Sequence, residues 1–401
     1  MRIAEINVLA IGSTGKIMFQ IAEKASENGN EVYTYSPVPF VKGKKNNLEK
    51  FPNHFWWGTR IEAKFHNYVG SLLGLSGLFS YFGTQQLIKS LKKFKPEIIH
   101  LHNLHAWYLN FPMLFKYVKK SRAKVVWTLH DCWTFTGHCP HFDMIGCDKW
   151  KTGCYRCPQP RTYPKMYLDT SKLMYKLKKK WFTGIRDMTL VTPSQWLADL
   201  VKQSFLKEYP VKVINNGIDL SVFKPTESNF REKYGLQDKF IVLGVAFGWG
   251  QRKGLDVFIE LSKRLNDSFQ IVLVGTDDNV DKQLPPNIIS IHRTQNQAEL
   301  AEIYTAADLF VNPTREENFP TVNMEALACG TPIVTFKTGG SPEIIDKTCG
   351  IVVEKDDIDM MEQEILRIRA EKRYTKDACL NRAKQFKKDD KFSEYLDLYK
   401  G

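Results

Sequence analysis

Short apolar runs alternate along the chain with longer segments whose apolar positions recur every three or four residues. In the first half the runs are Arg2–Ala10, Glu31–Tyr35, Pro96–Leu101, Ala123–Leu129 and Met188–Val191, and each reads as a strand. Helical spacing follows Gly15 to about Glu27, then recurs over Thr84–Phe94, Pro112–Lys120, residues 170–185 and Gln195–Phe205, with Ser194 as the cap of the last. Val211–Ile214 and the turn Asn215-Asn216-Gly217-Ile218-Asp219 read as a hinge. Beyond it, strands at Phe240–Val245, Phe269–Val274, Ile288–His292, Leu309–Val311, Pro332–Thr335 and Gly350–Val353 again alternate with helices. Alternation in both halves predicts an α/β protein with two doubly wound parallel sheets. The expected domains are 1–208, 209–375 and a closing helix in 376–401 that spans about Lys376 to Tyr399. Two stretches break the rhythm. Val38–Phe82, rich in aromatics, Gly and Lys, is expected to be an irregular insertion with a short helix, and residues 132–158 are a cysteine-rich insert.

A length of 401 residues suits two domains with separate cores. No apolar run approaches the roughly 20 residues of a membrane span. Met1-Arg2-Ile3 opens directly into a strand, so a cytoplasmic location is expected. Charge is uneven: 31 Lys+Arg face 14 Asp+Glu through Pro210, against 26 and 30 beyond it. The basic half is either a solvated surface or an attraction to an anionic inner membrane leaflet or phosphorylated acceptor. Within it, Lys172–Phe182 mixes bases with apolar and aromatic residues at helical spacing, a composition of interfacial helices, which makes peripheral membrane contact an expectation. No recognition motif accompanies the charge, so nucleic acid is not an expected partner.

The densest chemistry lies late in the chain. Asn312-Pro313-Thr314 ends a buried strand, Arg315-Glu316-Glu317-Asn318-Phe319-Pro320 forms a loop, and Val322–Cys329 reads as a helix stopped by Gly330 and Pro332. Glu317 and Glu325, eight positions apart, then face one crevice above the C-terminal edge of a parallel sheet. Two acceptors beside a helix N-terminus suit a ligand with hydroxyls and phosphates, as a nucleotide-sugar has.

This segment resembles the Glu-x7-Glu motif of retaining glycosyltransferases of family 4, and Ala326–Thr335 and Thr338-Gly339-Gly340-Ser341-Pro342-Glu343 continue the match. Asn318 and Pro320 stand where the family often has Gly. The resemblance implies the GT-B fold, two Rossmann-like domains facing across a cleft, with the closing helix crossing back to the first. It implies retaining sugar transfer from a nucleotide-diphospho-sugar (UDP- or GDP-sugar), with no metal at the donor. Glu317 would contact the donor sugar, Glu325 the ribose, and the 338–341 loop, with Gly339 and Gly340, the phosphates. Asn318 and Phe319 would complete the donor site. Lys253, in Phe247-Gly248-Trp249-Gly250-Gln251-Arg252-Lys253-Gly254, matches a family Lys that meets the diphosphate. The Arg expected five or six positions earlier is replaced by Phe247 and Gly248, which leaves Arg252 as the candidate substitute. The cysteine insert and the N-terminal Gly-Ser-Thr-Gly are similar to enzymes that build bacterial capsule, exopolysaccharide or O-antigen on a lipid carrier, so a lipid-linked glycan acceptor is expected. A nucleotide-sugar epimerase or hydrolase on the same fold and a non-catalytic nucleotide-sugar-binding scaffold are the rival readings.

In the first half, Gly12-Ser13-Thr14-Gly15-Lys16 fails the Walker pattern, because Ala10 lies five before Gly15 and Ile17 follows Lys16. It remains a Gly-rich turn at a helix start, either an anion site or simply a tight turn. His102, His130 and Asp131 lie at C-terminal ends of strands, where an acceptor hydroxyl would be positioned or deprotonated. Cys139, Cys147, Cys154 and Cys157 have the spacing C-x7-C-x6-C-x2-C. They are either the thiolates of a structural zinc site, with Cys132, His138 and His141 as substitutes, or ordinary buried thiols.

Overall fold

The computed structural model describes residues 1–10, 12–39, 53–105 and 107–401. It divides into two units, Met1–Ile214 with Phe392–Gly401, and Asn215–Lys391. The first unit is built on β1 (Arg2–Ile6), β2 (Glu31–Pro37), β3 (His54–Trp57), β4 (Ile98–Leu101), β5 (Lys124–Thr128), β6 (Met188–Thr192) and β7 (Val211–Val213). They form one sheet in the order β3-β2-β1-β4-β5-β6-β7, and every pairing is parallel. The second unit carries β8 (Phe240–Val245), β9 (Phe269–Val274), β10 (Ile288–Ile291), β11 (Leu309–Asn312), β12 (Ile333–Phe336) and β13 (Gly350–Val353). Their order is β10-β9-β8-β11-β12-β13, again all parallel. In both sheets the strand order reverses beside the first strand, β1 or β8, which creates the switch point at which such sheets bind ligands.

Four expectations change. The unit boundary falls after Ile214 rather than at 208/209, because β7 pairs with β6 and extends the first sheet. The closing helix is two helices, Lys376–Lys384 and Lys388–Lys400. The former counts with the second unit, and only Phe392–Gly401 joins the first, where Phe392, Tyr395, Leu396 and Tyr399 pack with Ile3, Ile98, Val126 and Val191. The insertion expected over Val38–Phe82 contains its expected short helix and is irregular over residues 74–80, but it is more ordered elsewhere where it is described. It supplies β3 and the helix Arg60–Leu73, while residues 40–52 lie outside the described residues. Thr59 caps that helix by accepting from the Glu62 amide, and Gly74 closes it in the left-handed region, so the signals were local turn chemistry rather than periodicity. Lastly, the apolar side of the helix Ser171–Phe182, expected to be interfacial, is core: Met174, Tyr175, Trp181 and Phe182 are buried. Among the described residues no helix is long and apolar enough to cross a membrane.

Candidate functional site

Lys253, Arg252, Glu317, Asn318, Gly339 and Gly340 converge at the C-terminal ends of β8, β11 and β12. Lys253 ends a short turn, Gln251–Lys253, after β8, and its Nζ lies 2.6 Å from Glu317 Oε2. Both side chains are about one-fifth exposed (17 % and 22 %), so the pair can be reached from solvent. Arg315 holds the two loops together. Its guanidinium clasps Asp256 through two 2.7 Å bonds, reaches Asp356 at 2.5 Å and donates to the Gln251 carbonyl, while its amide donates to the carbonyl of Arg252. The sequence reading passed over Arg315; its partners are 41 to 64 positions away, and no local signal announces them.

Beyond β12 the loop Thr338–Ser341 presses against the Glu317 loop. Gly339 has a φ of +54°, and a Cβ there would sit 1.7 Å from the Glu317 carbonyl oxygen, so no other residue fits. The Gly340 amide donates to the Asn318 carbonyl at 2.7 Å, and the amides of Thr338 and Ser341 are also bonded within the backbone. The expectation that this loop's amides receive phosphate therefore narrows to Gly339. In their place the buried hydroxyls of Thr338 and Ser341, together with the Asn323 amide nitrogen, have no hydrogen-bond partner. Buried polar groups are ordinarily paired, so these three are suited to oxygens brought by a ligand.

Glu325, in the helix Thr321–Ala328, accepts from the Tyr304 hydroxyl at 3.2 Å. Burial first, and then Glu325, hold the Tyr304 phenol protonated as that donor. Arg252 is exposed, its Nη1 reaching the Glu316 carbonyl at 3.5 Å. Phe319 corrects an expectation. Its ring is 4 % exposed and packs against Phe386 in the core, so it supports the loop from beneath and does not line the site.

The first unit holds the other group. Gly12 opens the helix Gly12–Glu27, and Gly15 lets its first turn approach the end of the preceding loop, where a Cβ would fall 2.7 Å from the Leu9 oxygen. Asn7 braces this turn by donating to the Leu9 carbonyl and to Thr14. His102 is fully buried. Its Nε2 lies 2.8 Å from Glu5 and its Nδ1 lies 3.2 Å from His130 Nε2. Burial pushes both imidazoles down, to about 4 for His102 and about 3 for His130, so both are neutral at physiological pH. Such a weak base orients a hydroxyl by accepting its hydrogen bond and does not carry the proton away. Asp131 takes His105 Nε2 at 2.9 Å, the Trp133 amide at 2.9 Å and Asn103 at 3.3 Å. Burial opposes its charge, but His105, His141 and the Trp133 amide together hold the carboxyl at about 2.

The cysteine insert folds around a buried cation. Lys178 is 0 % exposed, its Nζ stands 3.5 Å from the centre of the Trp133 ring, and it donates to the Trp133 carbonyl. Burial pushes the Cys139 thiol to about 12 and the Cys154 thiol to about 11. Among the described residues, metal-ligand atoms gather in threes within 4.8 Å only at Glu5–His100–His102 and at Asp278–Asp281–His292. Cys139, Cys147, Cys154 and Cys157 are not among these trios, although the other three lie close enough to Cys139 for their charges to oppose its ionisation.

Residues 15–222 match the model of Glycosyltransferase Family 4, and residues 238–371 match that of Glycosyl transferases group 1. The protein WcaC of Escherichia coli strain K12, named as a colanic acid biosynthesis glycosyl transferase, is 25 % identical over 378 residues, covering 89 % of this chain and 88 % of that one. The sucrose-phosphate synthase of Thermosynechococcus elongatus aligns over 100 % of this chain and 98 % of its own with a TM-score of 0.70 at 18 % identity. Anabaena Alr3699/HepE in complex with UDP-glucose aligns over 99 % of both chains with a TM-score of 0.67 at 16 % identity. The two structural likenesses establish the GT-B fold.

Proposed function

This chain belongs to glycosyltransferase family 4, and from that membership we propose that it moves a sugar, with retention of configuration, from a nucleotide-diphospho-sugar to a lipid-linked glycan acceptor. The name of the WcaC relative supports placing this transfer in bacterial surface polysaccharide assembly. The observation that carries the donor half is the reachable Lys253–Glu317 pair beside the unpartnered hydroxyls of Thr338 and Ser341. On this reading Lys253 exchanges Glu317 for the diphosphate and neutralises the charge that develops on the leaving nucleotide. Glu317 then takes hydroxyls of the sugar and Glu325 those of the ribose. The two hydroxyls, with Gly339, meet the phosphate oxygens without a metal. His130 orients the acceptor hydroxyl, and the leaving phosphate takes its proton. UDP-glucose, the ligand of the HepE structure, is the first donor to test. UDP release that requires an acceptor is the expected result. Equal release from donor alone would favour a hydrolase, and no release or binding across a donor panel would favour a scaffold.

The lipid half rests on the helix Arg60–Leu73, whose sides are inverted. Its buried positions are Ala63, His66, Gly70 and Ser71, while Ile61, Phe65, Tyr68 and Leu72 are 82 %, 58 %, 73 % and 45 % exposed. Tyr81 and Phe82 continue the apolar side, and Tyr81 also borders a cavity of about 840 Å³ ringed by Lys92, Lys95, Lys116, Lys120 and Arg122. Apolar side chains next to such a cluster of cations match an anionic bilayer surface. Flotation with phosphatidylglycerol vesicles, but not with phosphatidylcholine vesicles, should carry the protein, and Phe65→Asp should abolish it. Equal flotation with both lipids, or none, would remove this support.

A further inference from the structure

One fully buried charge in the first unit has no part in the reading above. Glu5 in β1 is 0 % exposed, yet its carboxylate is ionised: burial opposes the charge, and His100 and His102 hold the group down at about 2. The alternation of parallel strands assembles its neighbours. Glu5 lies in register with His100 on β4, and His100 and His102, two positions apart, stand on one side of that strand, as do Thr128 and His130 along β5 and its extension. The C-terminal helix covers this side, and its Tyr399 hydroxyl donates to Glu5 Oε1 at 2.8 Å. His100 Nδ1 lies 3.1 Å from Glu5 Oε1, with its Nε2 on Thr128. By distance Glu5, His100 and His102 are a set of potential metal ligands. The ring nitrogens that face Glu5 are already bonded to it, so the cluster is a hydrogen-bond network.

Proton counting orders that network. An ionised carboxylate only accepts, so His102 Nε2 must carry the hydrogen that spans the 2.8 Å to Glu5. In a neutral imidazole the other nitrogen then accepts, and His102 Nδ1 takes its bond, at 3.2 Å, from His130 Nε2–H. His130 is thereby left with Nδ1 as its accepting nitrogen. The two rings lie within 16° of parallel, which suits an edge-to-edge bond between them.

We propose that Glu5 is a positioning residue for sugar transfer: through His102 it fixes the tautomer of His130, so that His130 meets the acceptor with an accepting Nδ1. This rests on the reading of His130 as the residue that orients the acceptor hydroxyl. The carboxylate touches no substrate, and its effect arrives through two imidazoles. Tyr399 adds a hydroxyl from the far end of the chain that holds Glu5 Oε1, so the C-terminal helix helps to set the same tautomer.

The test is ¹⁵N NMR of the imidazole rings in the full chain, run beside acceptor-dependent transfer. Wild type should show His102 and His130 each protonated at Nε2 only. Glu5→Gln should mix the tautomers and lower kcat roughly tenfold or more, below the about 10⁴-fold cost of losing a carboxylate bonded directly to a catalytic imidazole. Donor KM should stay unchanged, and Glu5→Asp should restore part of the rate. Tyr399→Phe should shift the His102 signals less. Should Glu5→Gln fail to fold, the wild-type spectrum decides, because an Nδ1-protonated His130 overturns the proposal. Unmixed tautomers or an unchanged kcat in folded Glu5→Gln would overturn it as well. If His130→Ala leaves transfer intact while the tautomers are as stated, the reading of His130 has failed rather than the proton ordering, and Glu5 loses its part in transfer with it.

Discussion

Replacing Lys253 separates catalysis from stability, because this cation has two partners at different times. In the unliganded site its 2.6 Å contact with Glu317 represents a gross attraction of about 6 kcal/mol at an effective dielectric of about 20. The side chains are 17 % and 22 % exposed, so hydration and rotamer freedom offset most of that. A net contribution near 1 kcal/mol is the scale of such partly solvated pairs. In the transition state the same ammonium faces a diphosphate that gains charge, and a donor of this kind is worth about 3–4 kcal/mol, or roughly 10²–10³ in kcat. Lys253→Met should therefore cost about 1 kcal/mol of stability by denaturant unfolding and at least about 10² in acceptor-dependent UDP release. The single variant also removes the cation that offsets the Glu317 charge, which would then repel the donor. The double variant Lys253→Met/Glu317→Gln, set against Glu317→Gln alone, removes that complication. A loss below about fivefold, or one that vanishes in the Glu317→Gln background, would show that Lys253 serves only to pair with Glu317 and would refute the argument.

Glu325→Ala should weaken UDP binding by about 10–100-fold in calorimetry, the scale of one or two hydrogen bonds to a charged group, and an unchanged Kd would remove Glu325 from the site. Burial depresses the Lys178 ammonium from 10.5 to about 7. A folded pKa below the unfolded one means that the penalty of charging Lys178 is fully present below about pH 7 and is relieved as pH rises towards 10.5. Lys178→Met should accordingly raise Tm most at pH 6, with the gain shrinking by pH 10. A Tm difference that does not change with pH would contradict this. If the four thiols draw together around a metal, gently purified protein should carry about one zinc per chain in elemental analysis. None would leave Cys139, Cys147, Cys154 and Cys157 as buried thiols.

Much of the molecule was legible in order along the chain. Both parallel sheets follow from alternating apolar runs and helical spacing, and three strands, Phe240–Val245, Phe269–Val274 and Gly350–Val353, end where the pattern ends. Lys253, Glu317 and Glu325 were identified by local motifs, because a turn at a strand end and a helix start place a side chain through neighbours in sequence. Tertiary structure decided which groups meet. Arg315 clasps Asp256 and Asp356 across tens of residues, and Glu5 meets Tyr399 at a separation of 394 positions. It sent Phe319 into the core, buried the apolar side of Ser171–Phe182, and turned that of Arg60–Leu73 outward. Periodicity reports that a helix has an apolar side, but not what lies against it. Hydrogen bonds and burial depend on the distance between atoms in space, which the chain's path through two sheets determines and its local pattern does not.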